Sequence, residues 1–117
     1  MRHFDLEEFD SPDEVGSGSN MDAQFLEMLD NAREIAGIPF IINSGYRTKA
    51  HNKKVGGKDD SSHLTGHAAD IKAVGSRQRY KILEACYQAG FTRIGVGTNF
   101  IHVDNDSTKP TEVIWLY

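Results

Sequence analysis

The chain has a single cysteine, Cys86, in 117 residues. No internal disulfide is possible, so the fold must be held by a packed core. Cys86 lies among Leu83, Tyr87 and Ala89 in a helix-like stretch without a basic partner, which reads as a small buried hydrophobe and not a nucleophile. No apolar run approaches the ~20 residues of a membrane helix, so membrane insertion is not expected. The N-terminus, Met1-Arg2-His3-Phe4-Asp5-Leu6, lacks the apolar stretch of a signal peptide. There is also no excess of positive charge. A formal net charge of -4 argues against a nucleic-acid-binding face. Internal repeats and low-complexity tracts are absent. What remains has a 38% hydrophobic share, the balance of one ordinary globular domain able to bury a core.

Residues 1–20 are acidic and rich in glycine and serine, and are read as an extended N-terminal arm whose acids form a solvated face. Residues 21–117 form the domain proper. A first helix is expected to start after Ser19 or Asn20, with Phe25, Leu29, Ala32 and Ala36 on its apolar stripe. Gly37 ends it and Pro39 blocks continuation. Phe40-Ile41-Ile42 reads as a short buried strand, and Thr48 caps a short helix over 49–54. Ala68–Ala73 reads as a strand. Ser76 caps a second long helix with Tyr80, Leu83 and Tyr87 on one face and Ile82 and Cys86 beside it. Strands near 93–96 and 100–103 flank the hairpin signal Gly97-Thr98-Asn99, and a last strand covers 113–116. Helices and strands do not alternate regularly, so the fold class is α+β: a single small domain with two long helices and a mainly antiparallel sheet.

The most informative stretch runs from Ser61 to Asp70. It puts His63 and Asp70 seven residues apart, with Gly66 between them. An acid in the apolar run Ala68-Ala69-Asp70-Ile71 is costly unless its charge is compensated. A divalent metal supplies such compensation, and histidine is a ligand that zinc accepts. His102, in Phe100-Ile101-His102-Val103-Asp104, is a third candidate. Two histidines and one carboxylate with an open fourth position make the ligand set of a hydrolytic zinc site. Strand alternation puts Ala68, Asp70 and Lys72 on one side, and Phe100, His102 and Asp104 on one side of the later strand. If both polar sides line one cleft, Asp70 and His102 meet. His67 is a competing ligand; His3 and His51 have no partner pattern and are expected to be solvated.

Ser61-x-His63-x-x-Gly66-x-Ala68-x-Asp70 resembles the signature of the zinc D-alanyl-D-alanine carboxypeptidases and the related phage L-alanyl-D-glutamate endopeptidases, whose zinc fold the hedgehog signalling domain shares. Ser44-Gly45-Tyr46-Arg47-Thr48 is similar to the family's upstream motif and Phe100-Ile101-His102-Val103-Asp104 to its downstream one. The resemblance runs from about residue 20 to the end. It implies a zinc metallopeptidase that cuts peptide bonds in peptidoglycan stem peptides or cross-links, with His63, Asp70 and His102 holding Zn2+. It also implies that Arg47 faces the substrate and that Ser61 helps bind it. Several relatives place an acid three residues before the last histidine. Here that residue is Asn99, which takes no proton, so Asp104 is the expected general base. The alternative is a zinc-stabilised binding module without turnover. The expected partner is a peptidoglycan peptide, with the protein a monomer made in the cytoplasm and acting on the cell wall, as a phage or prophage lysis protein would.

Overall fold

The computed structural model describes residues 1–117. The first long helix, α1 (Ala23–Ala36), starts later than Ser19 or Asn20. Those two residues are engaged in a 3-10 turn of their own. The Ser19 hydroxyl donates to the Gly16 carbonyl, and the Asn20 amide donates to the Ser17 carbonyl. Asp22 is the cap instead, accepting from the Phe25 N–H. Phe25, Leu29 and Ala32 are buried as the spacing predicts, and Gly37 ends the helix in the left-handed conformation.

After α1, the first strand is β1 (Ile42–Ser44), two residues later than the apolar triplet suggests. Phe40 is buried as a core side chain, while Ile41 is exposed. The short helix α2 (Lys49–Lys54) is capped by Thr48, as expected. Then come β2 (Ala68–Lys72), α3 (Gly75–Gln88), β3 (Arg93–Val96), β4 (Phe100–Asp104) and β5 (Val113–Leu116). Helix α3 begins before Ser76, and the Gln78 side chain returns to accept the Val74 N–H. Its core stripe is Ile82, Ala85 and Cys86, at helical spacing. Tyr80 and Tyr87, expected on the packed face, point outward at 69% exposure each. A tyrosine keeps its hydroxyl in water at little cost, so the smaller apolar residues take the contact with α1 and the sheet.

The five strands form one sheet in the order β1-β2-β4-β3-β5, antiparallel except for the β3–β5 pair. Ala69, Ile71, Ile94, Ile101 and Val103 point to the helices and join Phe25, Leu29 and Cys86 in one core. The other face is polar and open. Register sets one row of residues across all strands: Ser44 opposite Asp70, Asp70 opposite His102, His102 opposite Gly95, and Gly95 opposite Trp115. This row is the floor of the cleft described below.

The first twenty residues are not a free arm. Phe4 and Phe9 are buried in the same core, their rings 5.4 Å apart in an edge-to-face pair. The acids organise turns here. Asp10 accepts from the Gly16 and Gly18 N–H groups, Asp13 accepts from Ser11 and Thr48, and Asp5 and Glu8 cap a 3-10 turn over Leu6–Phe9. Asp30 of α1 receives the backbone N–H groups of Arg2 and His3 at 3.1 and 2.9 Å. Two apolar anchors spaced through a polar stretch are enough to dock it. The composition of residues 1–20 hides them.

Candidate metal centre

The fold brings the three ligand candidates together. Asp70 on β2 and His102 on β4 are direct cross-strand partners. His63 arrives from the 3-10 turn Ser62–Thr65, and Gly66 then reverses the chain at φ 76° into β2. A side chain at Gly66 would strike the Asn20 carbonyl, with a Cβ only 2.2 Å from it. One ligand atom from each of His63, Asp70 and His102 lies within 4.8 Å of the others. The Asp70 Oδ1 atom is 2.9 Å from His102 Nδ1 and 3.3 Å from His63 Nε2.

The surrounding hydrogen bonds test whether a cation fits. His63 Nδ1 donates to the Gly45 carbonyl at 2.7 Å. A carbonyl can only accept, so in neutral His63 the other nitrogen, Nε2, carries a lone pair. That lone pair faces the Asp70 carboxylate, also an acceptor. His102 repeats the pattern: Nε2 donates to Asp104 Oδ2 at 2.8 Å, and Nδ1 faces Asp70. Three acceptors converging on one point need a positive charge between them, and the residues present fit a divalent metal. Without an ion, protons on the imidazoles meet the same need for positive charge: burial would raise the Asp70 carboxyl, but the bonds and charges of His102 and His63 outweigh it and hold the group below the ordinary range. Burial would lower His102, but Asp104 and Asp70 outweigh it and raise the imidazole.

The carbonyl that orients His63 is itself supported by the N-terminal segment. The Tyr46 N–H donates to the Phe9 carbonyl at 2.9 Å, and Gly45 lies so close to Phe9 that a Cβ would sit 2.8 Å from its Cα.

The cleft above the row has a volume of about 650 Å³. Arg47, Ser61, His63, Asp70, His102 and Asp104 all line it. Arg47 is held by Ser44 Oγ at 2.9 Å and Asn52 Oδ1 at 3.2 Å, and its third nitrogen reaches Asp70 Oδ2 at 3.3 Å. The guanidinium is therefore aimed at the ligand cluster and is not a surface group. The Ser61 hydroxyl accepts from the His63 N–H at 3.3 Å, capping the turn that delivers this ligand while still facing the cleft. Lys109 ties that turn down, donating to the Asp60 carbonyl and to Ser62 Oγ.

The competing candidate His67 stays out of the cluster: its Nδ1 meets Thr65 Oγ1 at 2.9 Å, and its Nε2 faces Asp22 on the outer side. One expectation is corrected. Asp104 shares the His102 face as expected, but it is not placed as a general base. Both its oxygens are committed, Oδ2 to His102 and Oδ1 to Arg93 Nε at 2.7 Å and the Asp106 N–H at 3.2 Å. It is buried at 2% exposure, on the nitrogen of His102 that points away from Asp70. Burial would raise its carboxyl, but His102 and Arg93 outweigh this and lower it, leaving it a poor proton acceptor. Asn99 sits at the β3–β4 turn, its carbonyl taken by the Ala73 N–H.

The sequence reading missed Arg93 and the aromatic wall. Trp115 and Tyr117 lie over β3, where Gly95 leaves them room: a Cβ there would be 2.6 Å from both rings. The Trp115 ring centroid is 5.5 Å from that of His102, and Phe100 packs on Tyr117 at 4.9 Å. A signal was available. Two glycines alternating at Gly95 and Gly97 mark a strand with a vacant face, and aromatics alternating at Trp115 and Tyr117 supply what fills it.

A family model described as Peptidase M15 matches residues 2–104. Among curated proteins, the zinc D-Ala-D-Ala carboxypeptidase of Streptomyces albus G is 41% identical over 56 residues, covering 48% of this chain and 22% of that protein. The match thus spans under a quarter of that relative's length.

Proposed function

The chain belongs to the peptidase M15 family, and on that premise we propose that it is a zinc metallopeptidase hydrolysing peptide bonds in peptidoglycan stem peptides or their cross-links. The observation that carries the reading is the convergence of His63, Asp70 and His102 on the floor of an open cleft, with Arg47 beside them. His63 Nε2, Asp70 Oδ1 and His102 Nδ1 would hold the ion. Bound there, zinc supplies Lewis-acid polarisation of a carbonyl and activation of water.

The chain's own residues do the rest. The Arg47 guanidinium, fixed by Ser44 and Asn52, offers donors to a peptide carboxylate or to the negative charge that develops on the scissile carbonyl oxygen. Because its anchors are neutral, its charge is shared only with Asp70. Trp115, Tyr117 and Phe100 give one side of the cleft an apolar surface against which a peptide can pack. The substrate class is supported by the motif resemblance and by the name of the Streptomyces albus G relative. The place of action, the cell wall, follows from that substrate.

A second reading has a specific observation behind it. Neither Asn99 nor Asp104 offers a free carboxylate over the ligand cluster, which is what a zinc-stabilised binding module without turnover would show. Incubating zinc-loaded protein with purified peptidoglycan, followed by mass spectrometry of the soluble products, separates the two. Release of free D-alanine indicates carboxypeptidase action, and release of peptides or cross-link fragments indicates endopeptidase action. Unchanged peptidoglycan that nevertheless retains the protein establishes the binding module.

A further inference from the structure

We propose that Arg93 is a positioning residue for the metal centre, acting through Asp104 to fix which nitrogen of His102 is presented to the ion. The inference rests on the reading of His102 as a ligand.

Arg93 and Asp104 face each other across the β3–β4 pair, one step beyond the partners Ile94 and Val103 and two from Gly95 and His102, so they share the face of His102. Their side chains are 11% and 2% exposed, so the contact is shielded from solvent. The Arg93 Nε donates to Asp104 Oδ1 at 2.7 Å, and a terminal nitrogen donates to the Pro110 carbonyl. The guanidinium carbon lies 5.1 Å from the centre of the Trp115 ring. Two N–H donors, Arg93 Nε and the Asp106 backbone, converge on Oδ1 and fix the plane of the Asp104 carboxyl, so that Oδ2 is held 2.8 Å from His102 Nε2. With Oδ2 held against Nε2, the imidazole ring is oriented so that Nδ1 is the nitrogen presented to Asp70 and to an ion.

The two histidines are thus oriented in opposite senses by different acceptors. For His63, a neutral carbonyl holds Nδ1 and frees Nε2. For His102, an arginine-anchored carboxylate holds Nε2 and frees Nδ1. Neither Arg93 nor Asp104 needs to touch substrate or metal for this. A lysine at position 93 could neutralise Asp104, but it lacks the planar fork that holds the Pro110 carbonyl while lying against Trp115.

The test is zinc affinity of metal-free protein, measured by competition with a chromophoric chelator, together with the visible absorption of the cobalt-substituted form. Arg93→Gln and Asp104→Asn are expected to bind zinc about 10–100-fold more weakly than the parent and to shift the cobalt bands, because His102 is no longer held. Arg93→Lys is expected to recover part of the affinity. Arg77→Gln, which removes an exposed arginine of α3 outside the cleft, should bind zinc as the parent does. Asp104→Asn is isosteric and serves if Arg93→Gln does not fold. Parental affinity and parental cobalt bands in Asp104→Asn, with His102→Ala unable to bind, would overturn this inference alone. A parent that binds no zinc, or His102→Ala binding like the parent, would overturn the metal-centre reading on which it rests.

Discussion

Arg47 shows how one side chain is committed before any substrate arrives. Two neutral oxygens fix its plane, and its remaining nitrogen lies 3.3 Å from the Asp70 carboxylate. A charge-assisted contact with substrate is worth about 1.5–3 kcal/mol, so Arg47→Ala should lower kcat/KM by about ten- to a hundredfold. Arg47→Lys should recover only part, because an ammonium cannot hold Ser44, Asn52 and a substrate oxygen together. Steady-state kinetics on a peptidoglycan peptide checks both, and activity of Arg47→Ala within twofold of the parent would remove Arg47 from the site. At this scale the grouping of the ligand candidates was legible in part: strand alternation put Asp70 and His102 each on a polar face, and the β2–β4 register then makes them direct partners. The role of Asp104 was not. Its distance from His102 is set by the strand, but its engagement depends on Arg93, which reaches it only once the β3–β4 register is fixed.

Among the elements, the N-terminal segment departs most from its composition. Its glycines, serines and acids read as a free arm, yet Phe9 is fully buried and its carbonyl supports the backbone that orients His63. Phe9→Ala is expected to cost about 3–5 kcal/mol in urea unfolding, the range for a large buried aromatic. A loss below about 0.5 kcal/mol would mean that the segment is a loose surface arm after all. Asp30 offers a second test of the same docking. Burial would raise its carboxyl, but the Arg2 and His3 N–H groups outweigh this, so its folded pKa lies below the ordinary value. A lowered carboxyl stabilises the fold above the unfolded value of about 4, and that stabilisation is lost as pH falls through the folded value. Asp30→Ala should therefore be less stable than the parent by about 1–3 kcal/mol at neutral pH, and the gap should narrow as pH falls below about 4. A gap that stays constant down to pH 2 would show that the carboxylate's charge is not what holds the segment. Helix α3 carries a related lesson. Its periodicity was readable, but tyrosines fit either a core or a surface stripe, and only packing against α1 chose Ile82, Ala85 and Cys86.

Taken as a whole, the molecule divides its sheet between two tasks. One face is closed by α1 and α3 over an apolar core, and the other carries the row Ser44, Asp70, His102, Gly95 and Trp115 under the cleft. The α+β class, the mainly antiparallel sheet and the two long helices followed from periodicity and turn signals. The parallel pairing of β5 with β3 did not, because a terminal strand carries no mark of which edge it joins. Metal should also be part of the stability. The three ligand candidates are brought together only by the fold, so an ion held there favours the folded state and chelation removes that contribution. Zinc at about a hundredfold over its Kd would add about 2.7 kcal/mol, on the order of 10 °C in Tm for a domain of this size. Equal melting temperatures with and without chelator would contradict that. The most direct test of the central claim is to titrate metal-free protein with zinc while measuring peptide-bond hydrolysis in purified peptidoglycan. One metal centre built from His63, Asp70 and His102 predicts that turnover rises linearly to one equivalent of zinc and then levels, and that His102→Ala shows no rise. Hydrolysis indifferent to zinc, or fully retained in His102→Ala, would contradict it.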